Sequence, residues 1–139
     1  MNSIAILASR DMMPAAGEAL RSDFFELEEQ MAKLTPAFER LGYTLELCLW
    51  NDFAVYAARY AAVLPLFVWD YFDGDNPRLF LKQITAAAKQ TCLLNPLSVI
   101  GYNGDKRYLD ELQSHGAPVI PSVTLDTVTR DAALAAAKQ

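Results

Sequence analysis

The chain has 139 residues, of which 53% are hydrophobic and 21% are charged, and its formal net charge at pH 7 is -5. This length allows one sizeable hydrophobic core and leaves no room for two ordinary domains. The acidic balance and the scattered basic residues disfavour a nucleic-acid partner, and no apolar run is long enough to cross a bilayer, so we expect no membrane partner and a cytoplasmic location.

The first predicted element is a buried strand at residues 3–8, which form a short, continuous apolar run. The run ends at three polar residues, Ser9, Arg10 and Asp11. Residues 12–22 show no firm period, so we interpret them as a loop or a lid.

An amphipathic helix is predicted next, because apolar side chains recur at intervals of three and four while charged side chains fill the other face. Gly42 stands just past its end, as is typical of a helix C-terminus. Pro36 lies inside the pattern, so the helix is either kinked there or restarted with Thr35 as a new N-cap. The apolar stripe consists of Leu27, Met31, Leu34, Phe38 and Leu41.

Two further strands follow this helix. Residues 43–49 alternate with a period of two, which predicts a strand near a sheet edge, and Asn51 and Asp52 finish it. Residues 61–68 form another all-apolar run, in which Pro65 removes one ladder donor and so weakens a central position. This strand ends at the polar and aromatic group Trp69, Asp70 and Tyr71.

The second half begins with a helix that has Asn76 as its predicted N-cap, Pro77 in its first turn, and a buried stripe of Phe80, Ile84 and Ala87 or Ala88. Residues 91–94 predict a fourth short strand ending at Asn95.

Beyond this strand we predict a helix over residues 104–115, opened by Asn103 and closed by Gly116. Lys106 would then lie in its first turn, where a cation gains nothing from the helix dipole and therefore suggests an anionic ligand. Residues 119–120 predict a fifth strand, and the alanine-rich tail from residue 131 is helical by propensity.

Repeated strand, helix, strand connections of this length predict a mainly parallel, four- to five-stranded sheet with helices on both faces. The expected fold is a Rossmann-like, three-layer α/β/α domain. Ligands of such sheets bind beyond the carboxyl ends of the strands. The polar groups expected at that edge are Ser9-Arg10-Asp11, Asn51-Asp52, Trp69-Asp70-Tyr71 and Asn95.

Several common chemistries lack their motifs. No glycine-rich turn follows the first strand, which excludes a dinucleotide-binding dehydrogenase, and residues 101–106 lack the spacing of a Walker loop. With His115 as the single histidine, a hydrolase triad has no support. A phosphorylated receiver domain would use an aspartate where Asp70 lies, but only Asp11 represents the other acids it needs.

Two interpretations of the group from Trp69 to Tyr71 remain open at this point. The aromatic rings and the acid could form a wall of a substrate site. Equally, they could be the edge of the core, with Asp70 capping a turn.

Four segments together resemble the N-terminal, pre-ATP-grasp domain of glutathione-synthetase-like ATP-grasp ligases, a family that includes the O-ureido-serine cyclo-ligase of cycloserine biosynthesis. The likeness extends over the chain as far as Ser122. It differs at Leu66-Phe67-Val68, where relatives commonly have an arginine, and at Tyr102, where they commonly have tryptophan. The segments are Val68-Trp69-Asp70-Tyr71, Leu94-Asn95-Pro96, Asp105-Lys106-Arg107-Tyr108-Leu109 and the run from Gly116 to Ser122.

The resemblance implies a function. Such ligases use ATP and magnesium to activate a carboxylate as an acylphosphate and then join it to an amine or a similar nucleophile. By this likeness Lys106 would contact the nucleotide phosphates, and the N-terminal domain would line the substrate cleft. The candidate substrate-binding residues are Arg10, Asp11, Trp69, Asp70, Tyr71, Asn95 and Asn103.

The resemblance also implies a domain organisation: residues 1–122 form the pre-ATP-grasp domain, and residues 123–139 lead towards an ATP-grasp domain in cis. The glycine-rich loop, the second phosphate-binding lysine and the metal ligands of the family are not in these 139 residues. We therefore expect this chain alone to bind neither ATP nor magnesium and to be non-catalytic, and a homodimer stays open. The alternative is a free-standing, non-catalytic Rossmann-like domain that binds a protein partner or a small ligand.

Overall fold

A computed structural model describes residues 2–13, 17, 21–125 and 127–138. Its centre is a sheet of four strands in the order β2-β1-β3-β4, and all three neighbouring pairs are parallel. The predicted α/β fold with a parallel sheet is confirmed. The strands are β1 (Asn2–Ala8), β2 (Tyr43–Leu49), β3 (Ala62–Phe67) and β4 (Cys92–Leu93).

Strand β1 lies in the middle of the sheet and is covered on both faces. Its side chains alternate between two apolar clusters, because successive residues of a strand point to opposite faces. Ala5 and Leu7 belong to one cluster, whereas Ile6 and Ala8 belong to the other. Helix α1 (Phe24–Glu39) packs on the second cluster, and helix α2 (Asn76–Ala87) packs on the first. This arrangement is the three-layer architecture that the sequence predicts.

Helix α1 runs through Pro36 without a new start, so the alternative of a restart at Thr35 is wrong. Gly42 follows the helix with a φ of 82°, a left-handed conformation that glycine adopts without strain. Of the predicted apolar stripe, Leu27 is buried, whereas Leu41 lies beyond the helix end with 72% of its surface exposed.

The Pro65 position explains how β3 tolerates a proline. The residue pairs with Leu7 of β1, and the register shifts at the next step, where Ala8 pairs with Phe67. On the other side β4 pairs only with Ala62 and Val63, so no β4 residue lies opposite the proline. A proline without a ladder donor fits at such an irregularity.

Helix α2 begins one residue earlier than predicted, since Asp75 occupies the N-cap position and Asn76 is the first helical residue. The side-chain amide of Asn76 instead donates a hydrogen bond from Nδ2 to the backbone carbonyl oxygen of Asp70 at 2.8 Å. Three residues of the predicted stripe are buried as expected, namely Phe80, Ile84 and Ala87.

The chain divides into two compact units, Met1–Ile100 and Gly101–Gln139, with helix α3 (Leu97–Asn103) crossing the division. The second unit also contains α4 (Tyr108–Ser114) and α5 (Arg130–Ala136). No strand is found at residues 117–125, so the predicted fifth strand is wrong. No observation in the structure tests the predicted domain boundary after residue 122, which stays a prediction.

The predicted helix over residues 104–115 is also corrected. Asn103 ends α3 instead of opening the next helix, and Lys106 lies in the turn before α4. The cause is the side chain of Asp105, which accepts a hydrogen bond from the backbone N–H of Arg107 at 3.0 Å and thereby competes with helix formation. The C-terminal prediction is confirmed, because Gly116 (φ 82°) follows α4 directly after His115.

A substitution in the first unit tests the core. Ile84→Ala should lower the free energy of unfolding by about 2 to 4 kcal/mol, because the Ile84 side chain is fully buried and its loss leaves a cavity. Urea denaturation followed by circular dichroism measures this value. Leu81→Ala on the same helix is the matched control, since Leu81 is 41% exposed and should cost less than about 1 kcal/mol. Equal losses in the two variants would contradict the assignment of the buried face.

Candidate functional site

The carboxyl ends of three strands meet at one edge of the sheet. Ala8, the last residue of β1, pairs with Leu49 of β2 and with Phe67 of β3. The residues that follow these three positions therefore begin side by side. In open α/β sheets this edge is where ligands bind.

Ser9 and Asp11 follow β1 and are held tightly. Ser9 is completely buried, and its backbone N–H donates to the carbonyl oxygen of Phe67 at 2.9 Å. Its hydroxyl lies within hydrogen-bonding reach of Asp11 Oδ1 and of the Phe67 carbonyl oxygen, and it can donate to one of them at a time. The buried hydroxyl of Ser9 thus helps to fix the carboxylate of Asp11.

Arg21 approaches the same carboxylate from the other side. Its Nη1 lies 2.9 Å from Asp11 Oδ2, and its Nε and Nη2 lie 2.8 and 3.0 Å from the two oxygens of Asp23. Its guanidinium carbon is 5.9 Å from the ring centroid of Trp69, within the range of a cation–π contact. Desolvation alone would raise the pKa of Asp11, but hydrogen bonds from Ser9 and Arg21 and the charge of Arg21 hold it below its ordinary value.

Asp70 is oriented by a buried tryptophan. Trp50 has no exposed surface, and its Nε1 donates to Asp70 Oδ1 at 2.6 Å. Phe80 packs edge-on against the Trp50 indole, with the two ring centroids 5.6 Å apart. An indole N–H that is buried needs an acceptor, and Asp70 supplies it. This hydrogen bond fixes the Asp70 carboxylate at the carboxyl edge of the sheet.

The second oxygen of Asp70 receives no hydrogen bond from another side chain among the described residues, since the Trp50 donor reaches only Oδ1. Burial raises the pKa of Asp70, the bond from Trp50 lowers it, and the charges of Asp11 and Asp73 raise it further, so the net shift is upward. The edge therefore combines two carboxylates of opposite character. Asp11 is paired and stays ionised, whereas Asp70 is partly desolvated and has a side-chain donor on only one of its oxygens.

The aromatic neighbours of Asp70 differ from one another. Tyr71 is half-buried and packs against Phe80 and Phe72 with centroid distances of 5.6 and 5.5 Å, so it belongs to the edge of the core. Trp69 is 37% exposed and presents its ring to Arg21. The interpretation as an edge of the core thus fits Tyr71, whereas a substrate wall that includes Trp69 stays a prediction.

The other two predicted site residues of the first unit follow the ends of β1 and β4. Arg10 and Asn95 are exposed, and the structure gives neither side chain a hydrogen bond within the described part of the chain. Asn95 follows β4 with a φ of 67°, a left-handed conformation that asparagine adopts more readily than most residues.

The remaining two candidates belong to the second unit. Lys106 is exposed, and its Nζ lies 5.6 Å from the ring centroid of Tyr108. No carboxylate pairs with Lys106 among the described residues. Asn103 is also exposed.

Four residues of the edge are not among the predicted site residues. Ser9 is recognisable there only as the end of a strand, and Trp50 only as part of the wetter face of β2, although a tryptophan next to a strand end needs a partner for its N–H. Arg21 and Asp23 lie in or just after the segment interpreted as a loop. Their spacing of two residues carries no recognisable signal, because the Asp11 and Trp69 contacts come from elsewhere in the chain.

Membrane spans and metal centres have no candidates in the part of the chain that the structure describes. No helix of the described residues is long and apolar enough to cross a membrane. Over the same residues, no group of three or more His, Cys, Asp or Glu side chains is placed to hold a metal ion.

Comparisons with known proteins identify relatives of this chain. The family model described as D-cycloserine synthetase DcsG, N-terminal domain, matches residues 4–95. The chain is 31% identical over 99 residues to the cycloserine biosynthesis protein DcsG of Streptomyces lavendulae, an alignment that covers 71% of this chain and 32% of that protein. The crystal structure of D-cycloserine synthetase DcsG matches with a TM-score of 0.67 at 27% identity and covers 88% of this chain and 36% of that one. The chain therefore spans about a third of the length of these relatives.

The raised pKa of Asp70 leads to a prediction on stability. A carboxyl group whose pKa is higher in the folded state favours folding when protonated, so its contribution falls as the pH rises through that pKa. Asp70→Asn keeps an oxygen for the Trp50 N–H and removes the charge. We expect this variant to have a higher free energy of unfolding than the unmodified chain at pH 7, and no advantage at pH 3.

Urea unfolding at both pH values measures the effect. Asp52→Asn is the control, because it removes the same charge from an exposed position and should change stability little. A less stable Asp70→Asn chain at pH 7 would contradict the desolvation of Asp70.

Proposed function

This chain belongs to the family of DcsG N-terminal domains, and we propose that it is the substrate-binding part of an ATP-dependent ligase of the ATP-grasp superfamily. The ligase would be a longer protein in which this chain is joined to an ATP-grasp domain. The observation that carries the proposal is the oriented carboxylate of Asp70, beside Asp11 and Trp69, at the ligand-binding edge of a parallel sheet.

The chemistry of this edge suits a substrate that carries a hydrogen-bond donor. Asp70 Oδ2 can accept a hydrogen bond from an amino group or a similar nucleophile, because Trp50 holds the other oxygen. The exposed Trp69 offers an aromatic surface next to it. These groups would bind and orient the substrate, which is the contribution that proximity makes to catalysis.

Lys106 supports a role for a nucleotide. It is exposed and has no carboxylate partner among the described residues, so its ammonium group can meet a phosphate. ATP, when bound, would supply the phosphoryl group that activates a carboxylate. Magnesium would be held by residues of the ATP-grasp domain, because no cluster of metal ligands is found in the described part of this chain.

A second candidate function is a non-catalytic domain that binds a protein partner. Exposed apolar side chains after α4 favour it, notably Ile120 at 86% and Val128 at 80% exposure. The two functions differ in a simple observation. A reading frame that continues past the codon of Gln139 into a Lys-Pro strand and a glycine-rich loop favours the ligase.

The test of the ligase function is a screen for phosphate release. The longer protein is incubated with ATP, magnesium and pairs of carboxylate and amine substrates, and released phosphate is measured. Asp70→Asn should lower kcat/KM for the substrate by about 10-fold or more while leaving the KM for ATP unchanged, because its lost interaction is with the substrate. Glu28→Gln, which removes a charge from an exposed position of α1, is the control. No release with any pair would reject the ligase function.

The nucleotide role of Lys106 is tested separately. Lys106→Ala in the longer protein should weaken the use of ATP by about 1 to 3 kcal/mol, as for a lost charged hydrogen bond. The measurement is kcat/KM for ATP at saturating substrate. Lys89→Ala, which removes an exposed lysine near the end of α2, should leave it unchanged. The role is rejected if both variants use ATP like the unmodified protein.

A further inference from the structure

Arg21 joins three parts of the chain that lie far apart in the sequence. Asp11 follows β1, Asp23 precedes α1, and Trp69 follows β3. The guanidinium group contacts all of them, with 2.9 Å to Asp11 Oδ2, 2.8 and 3.0 Å to the oxygens of Asp23, and 5.9 Å to the Trp69 ring centroid. One side chain therefore ties the start of α1 to the carboxyl edge of the sheet.

The contact occupies groups that a ligand at this edge would need. Arg21 fills the Oδ2 side of Asp11, while the buried hydroxyl of Ser9 reaches Oδ1. The same guanidinium lies over the ring of Trp69, which keeps 37% of its surface exposed. While Arg21 is in place, it occupies Oδ2 of Asp11 and the Trp69 ring face beneath the guanidinium group.

The contacts of Arg21 with Asp11 and Trp69 can break while its contact with Asp23 persists. The bond to Asp23 is a two-point contact within two residues of sequence, and it can persist while Arg21 moves. The bonds to Asp11 and Trp69 are long-range and partly exposed, since the side chains of Arg21 and Asp11 are 36% and 39% accessible. Ion pairs of this exposure are weak and are screened by salt.

We infer that Arg21 is a latch on the carboxyl edge of the sheet. It is closed over Asp11 and Trp69 in this structure, anchored by Asp23, and it must leave the first two before a ligand can contact them. The latch itself does not depend on the ligase function, whereas its effect on a substrate rests on that proposed function.

Tryptophan fluorescence can test the latch in the 139-residue chain. The chain has two tryptophans, of which Trp50 is fully buried, so quenching by acrylamide reports on Trp69. Acrylamide is uncharged, and its access does not depend on the charge of the variant. Arg21→Gln should raise the quenching constant by about 1.5- to 2-fold, because the cation over the indole is lost.

Salt and a second substitution make the test specific. In the unmodified chain, 1 M NaCl should raise quenching towards the level of Arg21→Gln, since salt screens the pair with Asp11. The Arg21→Gln chain should not respond to salt. Asp11→Asn should raise quenching as well, because it removes one holding partner. Arg40→Gln removes an exposed arginine near the end of α1 and should behave like the unmodified chain.

The outcomes decide the proposal. Circular dichroism first establishes that each variant is folded, and if Arg21→Gln is not, Asp11→Asn and the salt response of the unmodified chain serve as the test. Quenching that is the same in the folded variants and indifferent to salt overturns the latch. Because no ATP or substrate is present, this result leaves the ligase function untouched, and a failed phosphate-release screen leaves the latch untouched.

Discussion

Parallel pairing of β1 with strands on both of its sides is the constraint on which the rest of the structure depends. Parallel neighbours require crossover connections, so every strand of the sheet ends at the same edge. Ser9, Trp50 and Val68 consequently lie side by side, although Trp50 comes 41 positions after Ser9 in the sequence. The polar groups of the edge owe their proximity to this topology, and the buried residues of β1 hold it in place.

At this edge, hydrogen bonding and desolvation give two carboxylates different properties. Asp11 accepts hydrogen bonds from Ser9 on one oxygen and from Arg21 on the other, and these bonds lower its pKa. Asp70 has one donor from a buried indole and loses hydration, which raises its pKa. The negative charge of Asp11 adds to that rise, so whatever Arg21 does at Asp11 also acts on Asp70. The Arg21 latch and Asp70, the proposed substrate-binding carboxylate, are therefore electrostatically linked.

Much of the first unit was predictable because its signals are local. The alternation of β2 indicated an edge strand, and the spacing of Phe80, Ile84 and Ala87 indicated the buried face of α2. The second unit was predicted less well. Its apolar residues are sparse, and the turn formed by Asp105 outweighed the helical pattern. With little burial to enforce one arrangement, short-range hydrogen bonds decided where the helices begin and end.

The sequence by itself determined the parallel sheet, its two covered faces and the polar edge, since these follow from the periods of apolar residues and from the lengths of the connections. The resemblance to a cycloserine enzyme was also visible there, in residues that the family match then covered up to position 95. Only the tertiary structure decided that Trp50 holds Asp70 and that Arg21 covers Asp11 and Trp69. Such contacts join residues 10 to 48 positions apart, and no local pattern encodes a partner that the fold brings in from another strand.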